Sequence, residues 1–200
     1  MRVIETKVYT FEELSEEAKD KAIEKNRYIN VEISEWYWFI YGVFKHQYSN
    51  LFDITNIYFS GFHSQGDGAM FEYDGITDKL IDEFIAQLQL SPLRKKIVKE
   101  AIYFSGSGKH KGIYNHERSC SHSFYVESQY DLETYHKNIQ EFIDNIAMDF
   151  EVFIEEKYIE LCGELYQSLN DEYEWYTSDK AIKEHLIENE YEFTENGELI

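Results

Sequence analysis

Apolar and polar positions change period several times along the 200 residues, and each change marks an element. Residues 2–9 alternate, with Val3, Glu5 and Lys7 against Ile4, Thr6 and Val8, which predicts a strand. Ser15, Glu16 and Glu17 then form a helix start: the serine caps a free N–H and the acids meet the positive end of the dipole. That helix is predicted to run to about Arg27. Residues 31–48 hold Trp36, Trp38, Phe39, Tyr41, Val43, Phe44 and Tyr48. Apolar side chains wrap most of this segment, which predicts a helix at the centre of the core.

The middle of the chain reads as hairpins separated by helices. Residues 57–62 and 69–73 are predicted strands, joined by the polar loop His63-Ser64-Gln65-Gly66-Asp67-Gly68. Helices are expected near 76–89 and 92–100, the second with Pro92, the only proline, in its first turn. A strand over 102–105 then enters a glycine-rich loop, and the chain returns as a strand over 121–129. Ile57-Tyr58-Phe59-Ser60-Gly61 is echoed by Ile102-Tyr103-Phe104-Ser105-Gly106. Two hairpins in one sheet would give this echo, and five residues are too few to claim a duplication.

From about Leu132 to Leu169 the apolar residues fall at helical spacing, among them Ile139, Phe142, Ile143, Ile146, Phe150, Phe153, Ile154, Leu161 and Leu165. They describe one long amphipathic helix whose other face carries Glu141, Asp144, Glu151, Glu155 and Glu156. Thr177-Ser178-Asp179 caps a short helix to about Asn189. The tail alternates and turns at Asn196-Gly197, as a terminal strand and hairpin would. No linker or low-complexity stretch divides the chain. The expected fold is a single α+β domain over 1–200, an antiparallel sheet of four to six strands packed by helices, one of them long, acidic and C-terminal.

Composition supports a packed core, with 43% apolar residues and 17% aromatics. Only two cysteines occur, Cys120 and Cys162, far apart and without CxxC spacing. A disulfide scaffold or cysteine-based zinc site is therefore not expected, and a reducing cytosol is the natural compartment. The start of the chain is charged and alternating, unlike a signal peptide, and no stretch reaches the roughly 18 apolar residues of a membrane span. No membrane partner is expected, and the reading is cytoplasmic.

The net charge of −20 changes the picture because it is unevenly spread. Residues 131–200 hold 20 acids and 4 bases, whereas residues 1–130 carry a net charge of only −4. Seven bases cluster at Arg94, Lys95, Lys96, Lys99, Lys109, Lys111 and Arg118, against Glu100 and Glu117. The acidic end repels nucleic acid and favours a basic partner, so no direct nucleic-acid contact is expected through it. A solvated helix face that aids solubility is the plainer alternative.

Two loops carry the candidate ligand chemistry. In His63–Gly68, Gly66 and Gly68 permit unusual backbone angles, Gln65 and Asp67 offer amide and carboxylate hydrogen bonds, and Ser64 a hydroxyl. The competing structural reading is a hairpin turn in which Asp67 bonds its own backbone. The second loop, residues 106–112, is glycine-rich and basic, and Lys109 and Lys111 would add charge to phosphate-cradling amides. It lacks the P-loop pattern. Were the hairpins side by side, His63, Asp67, Lys109, His110, Tyr114 and His116 would converge on a pocket for a nucleotide-like ligand. His110, His116 and His122 are spaced six apart, wider than the usual single-loop zinc spacings. Nothing around Ser64 or Cys120 forms a nucleophile elbow. No catalytic residue, metal ligand or cofactor is assigned.

Four stretches together resemble an uncharacterised family of bacteriophage and prophage accessory proteins: Phe11–Ala18, Ile57–Ala69 with its Tyr-Phe-Ser-Gly-Phe-His-Ser-Gln-Gly-Asp-Gly-Ala run, Lys111–His116, and Tyr176–Asp179 on to Asn189–Phe193. The resemblance implies a dispensable early or accessory gene product in a bacterial host cytoplasm, of a kind sometimes labelled antitoxin-like. The family carries Trp where this chain has His63, so the resemblance assigns His63 no catalytic or metal role. The leading expectation is a non-enzymatic interaction or inhibitor protein, counter-defence or antitoxin-like. It would present the acidic helix, as a mimic of DNA phosphates, to a host or defence protein with a basic, nucleic-acid-binding surface. A nucleotide-binding or sequestering protein using loops 63–68 and 106–116 comes second. A metal-assisted hydrolase around His110, His116 and His122 comes third.

Overall fold

A computed structural model describes residues 7–32, 35–130 and 137–200. The architecture is α+β, with two antiparallel sheets and six α-helices among the described residues. The chain divides into two compact units, residues 40–168 and a unit built from both ends, 1–39 with 169–200.

The larger unit is built on a four-stranded sheet in the order β2-β3-β4-β5, from β2 (Phe52–Phe59), β3 (Ala69–Ile76), β4 (Ile102–His110) and β5 (Cys120–Ser128). β2 with β3 and β4 with β5 are hairpins, and β3 meets β4 at Tyr73 and Gly108. Helices α3 (Asp78–Gln87) and α4 (Pro92–Ala101) connect the hairpins. Thr77 caps α3 through Leu80 N, Ser91 caps α4 through Arg94 N, and Pro92 stands in the first turn where its missing N–H costs nothing.

The long helix α5 (Lys137–Tyr176) covers one face of this sheet with Phe150, Ile154, Tyr158, Leu161 and Leu165, all essentially buried. Burial of each such side chain contributes about 1.5–3 kcal/mol. The Phe150 ring meets Phe84 and Phe104, and the Tyr158 ring meets Phe71 at 4.6 Å and His122 at 4.7 Å. Tyr158 also donates its hydroxyl to the Phe71 carbonyl at 2.9 Å, which satisfies the one polar atom that this burial would strand. The helical spacing read from the sequence is thus the sheet-facing side of α5.

The smaller unit holds β1 (Tyr9–Thr10), α1 (Glu16–Lys25), α6 (Asp179–Glu188) and β6 (Glu192–Phe193), with β1 antiparallel to β6. Its core is Phe11, Leu14, Ala18, Ala22, Ile182, Leu186 and Phe193. Ser15 caps α1 and Ser178 caps α6, as the sequence indicates. The tail turns back at Asn196-Gly197, where Gly197 N donates to the Thr194 carbonyl and Phe193 pairs with Leu199.

Two expectations change, and a third is described only at its end. The predicted first strand lies mostly outside the described residues; what is described begins as a strand only at Tyr9. The aromatic helix is shorter, α2 (Trp38–Tyr48), and is not the centre of the core: Phe44 alone is buried, and Trp38 and Phe39 are 61% and 73% exposed. A helix apolar on all sides can bury only the side that meets a neighbour, and here that is Phe44 against Phe71. The glycine-rich loop of 106–110 is strand: β4 runs to His110 and keeps register with β5 throughout, His110 opposite Cys120. Gly106 and Gly108 leave room for rings rather than for a turn, since a Cβ at Gly108 would meet the buried Tyr73 ring and Cys120 Sγ.

Candidate functional site

The two polar loops do meet. The ring of Tyr114 lies over Gly66, and the backbone of Asn115 and His116 lies against Gly68, so closely that a side chain at either glycine would collide with them. Gly66 also adopts φ +91°, a conformation that L side chains rarely take. Asn115 Nδ2 reaches the Phe59 carbonyl at 3.4 Å. Of the residues expected to converge, the turn of Asp67 meets Tyr114 and His116, and His110 meets Tyr114, while Lys109 turns to Asp74 and His63 stands exposed.

Asp67, Lys109, His110 and His116 each have a local task. Asp67 Oδ2 accepts from the backbone N–H of His63 at 3.0 Å and of Ser64 at 2.7 Å, and Asp67 N donates to the Ser64 carbonyl at 3.0 Å. That is the turn reading of Gly-Asp-Gly. His63, Ser64 and Gln65 are exposed at the tip of that turn. Lys109 pairs with Asp74. His110 stacks on Tyr58 at 4.7 Å, its ring nitrogen Nε2 lies 2.9 Å from the Tyr114 carbonyl, and its backbone N–H donates to Glu72 Oε1 at 2.9 Å. Glu72, almost fully buried, takes a second hydrogen bond from Asn56 Nδ2 at 2.7 Å. Asn56 first, then the His110 N–H, hold its carboxyl below the usual range. His116 Nδ1 accepts from Arg118 N at 3.2 Å and caps the 3-10 turn Glu117–Ser119.

His122 lies apart from these, on the sheet face under α5. Its Nδ1 is 2.9 Å from the Tyr73 hydroxyl and 3.9 Å from Cys120 Sγ, and burial holds its pKa below the ordinary imidazole value. Burial pushes the Cys120 thiol up to about 11 and the Cys162 thiol up to about 12, so both are protonated and poor nucleophiles. A cleft of about 180 Å³ opens beside them, lined by Glu117, Arg118, Cys120, His122, Glu155 and Tyr158 among others. The three histidines thus serve three separate local structures, and no group of three or more His, Cys, Asp or Glu among the described residues is placed to hold a metal ion.

The outer surface of α5 is organised differently. Glu141, Asp144, Glu151, Glu155 and Glu156 are all exposed, as is Asp149 between them. Among the described residues none of these six has a cation at ion-pair distance; Asp144 accepts only the amide of its neighbour Gln140, at 2.9 Å. Elsewhere on the same helix Glu160 pairs with Lys157, and Glu164 accepts from Tyr48, so the unpaired run is local to 141–156. Met148, Val152 and Ile159 stand among these carboxylates, 64%, 55% and 54% exposed. Residues 141, 148, 152, 155 and 159, spaced seven, four, three and four apart, share one side of a helix. The carboxylates were legible in the sequence, and the apolar stripe was missed; its signal was Met148, Val152 and Ile159, three apolar residues outside the core-facing period.

Both loops and this helix lie inside one recognisable stretch of sequence. The chain belongs to the family described as a domain of unknown function, DUF8835, whose family model matches residues 28–179. No curated protein and no solved structure matches the chain. The DUF8835 match takes in both hairpins, α3, α4 and the whole of α5, while α1 lies outside it. No helix among the described residues is long and apolar enough to cross a membrane.

Proposed function

We propose that this protein is a non-enzymatic interaction protein whose α5 surface engages a basic partner protein of the nucleic-acid-binding kind. The observation that carries the reading is the run of six exposed carboxylates over 141–156 without cation partners, interleaved with the exposed Met148, Val152 and Ile159. Unpaired like charges along one helix repel each other, and a surface evolved only for stability would interleave lysines at i,i+4. The apolar stripe adds contact area that solubility does not need. A basic cleft that ordinarily takes phosphates would be attracted by the carboxylates and held by the apolar contacts.

The alternative of a nucleotide-like ligand at the two loops has less behind it. The charged and ring groups that would read such a ligand are engaged locally, Asp67 on its own turn, Lys109 on Asp74 and His110 on Tyr114. The resemblance to phage accessory proteins makes a host or defence protein the natural class of partner, with a counter-defence or antitoxin-like role. The test is retention of a partner from host lysate at low salt by the immobilised protein, and its release at high salt. A variant carrying Glu141→Gln, Glu151→Gln, Glu155→Gln and Glu156→Gln is the control. The reading predicts a partner that the variant does not retain. Failure to retain any partner at low salt, or equal retention by the variant, would overturn it.

A further inference from the structure

The sheet of the larger unit has a second face, and it carries a different chemistry. Side chains alternate along β4 and β5, so Phe104 and Phe124 point to Phe150 on α5. Tyr103, Ser105, Ser107, Ser123 and Tyr125 take the opposite face, where Ser107 and Ser123 are partners in register. Among the described residues β3 and β4 are partners in register at Tyr73 and Gly108, and Ile76 lies beside Gly106. A cavity of about 490 Å³ opens there, lined by Asp74, Asp78, Tyr103, Ser105, Ser123 and Tyr125 among others. That volume falls within the range of small-molecule pockets, about 300–1,000 Å³.

The lining decides the ligand class. Tyr103 and Tyr125 are each 52% exposed, their centroids 6.2 Å apart, and they offer ring faces to a partner. The serine hydroxyls have no protein hydrogen-bond partner among the described residues and can both donate and accept. No lysine, arginine or histidine lines the cavity; Lys109 is engaged with Asp74, and Lys99, in the neighbouring cleft that shares Asp78 and Tyr103, is engaged with Asp82. A phosphorylated ligand would meet carboxylates and no counter-charge. An apolar one would strand the serine hydroxyls. A neutral polyhydroxylated molecule satisfies both, since its hydroxyls match serines, aspartates and main-chain groups while its C–H face covers a tyrosine ring.

We propose that this trough is a binding site for a neutral saccharide, seated on Tyr103 and Tyr125 and read by Ser105, Ser123 and Asp78. The site is independent of the α5 surface. The test is saturation-transfer NMR on the intact protein with cellobiose, maltose and lactose, alongside glucose 6-phosphate and a short uncharged extended peptide. The expected result is transfer to at least one disaccharide and none to the phosphate ester or the peptide. Tyr103→Ala with Tyr125→Ala should weaken that binding at least tenfold. Both rings are half exposed, so the circular dichroism and melting temperature should hold. Ser123→Trp, which fills the trough and keeps both rings, should abolish binding as well. The glutamine variant of α5 should bind the sugar as wild type does, which separates this result from the fate of the partner reading. Silence from all three sugars, binding that survives the tyrosine or tryptophan variants, or preference for the phosphate ester or the peptide would overturn the proposal.

Discussion

Two polar regions of this protein look alike in sequence and differ in structure. Loops 63–68 and 111–116 are rich in groups that bind ligands, and the surface of α5 is rich in groups that are merely charged. In the fold the loops consume their own chemistry: Asp67 closes a turn, His110 is held by Tyr58 and Tyr114, and Tyr114 seals Gly66. The carboxylates of α5 over 141–156 remain uncommitted. A polar group already bonded inside its own protein has to be released before it can bind anything else, and that costs about what the internal bond contributes. The uncommitted surface is therefore the better candidate for recognition, although the loops carry the more suggestive residues.

The sharpest separation comes from neutralising α5. Glu141→Gln, Glu151→Gln, Glu155→Gln and Glu156→Gln together are expected to weaken binding of the retained partner at least about 100-fold, roughly 2.8 kcal/mol at 1.4 per tenfold. Folding stability should stay within about 0.5 kcal/mol of wild type, because these side chains are exposed and make no ion pairs. A urea titration beside the binding isotherm tests both halves. A variant that loses stability and keeps its partner would invert the comparison.

The loops should respond in the opposite sense. Gly66→Ala forces a Cβ into a left-handed backbone and against the Tyr114 ring, an expected loss of about 1–2 kcal/mol from the backbone alone. Asp67→Ala leaves the His63 and Ser64 N–H groups without their carboxylate and should cost about 1–2 kcal/mol. Partner binding should be unchanged for both, read by the same urea titration and isotherm. Unchanged stability with lost binding in Asp67→Ala would return the loop to the list of recognition sites.

The sequence was most legible where local chemistry decides the outcome. Ser15 and Ser178 announce helices because capping is settled within four residues, and the period of Phe150, Ile154, Leu161 and Leu165 names the buried side of α5. It was least legible where neighbours decide. Trp38 and Phe39 read as core and are exposed, because nothing in their own segment says which side meets Phe71. Gly106 and Gly108 read as loop because glycine usually marks a turn, whereas here it admits the rings of Phe124 and Tyr73. The echo of 57–61 in 102–106 marks two hairpins of one sheet but not equivalent positions, since one copy runs off the end of β2 and the other begins β4. Of the candidate site, the identities of the groups were readable and their commitments were not, because commitment is a matter of distance between residues such as Glu72 and His110, 38 positions apart.

The smallest expected effect concerns where the pH dependence of folding resides, and it extends the same comparison to a half-buried, committed group. His122 sits between Tyr73, Cys120 and Tyr158 under α5, and burial holds its pKa below 6.5. Between that depressed value and about 6.5 the unfolded chain binds a proton that the folded chain does not, so stability rises with pH across the window. The contribution is fully present above about pH 6.5 and is lost as pH falls toward the folded value. His122→Gln can still accept from the Tyr73 hydroxyl and cannot titrate in this range. Urea midpoints measured on either side of about pH 6.5 should therefore differ less in His122→Gln than in wild type, while the α5 glutamine variant keeps the difference that His122 contributes. An equal pH dependence in wild type and His122→Gln would place its origin outside this pair. The commitment of His122 to Tyr73 would then have no thermodynamic consequence in that range.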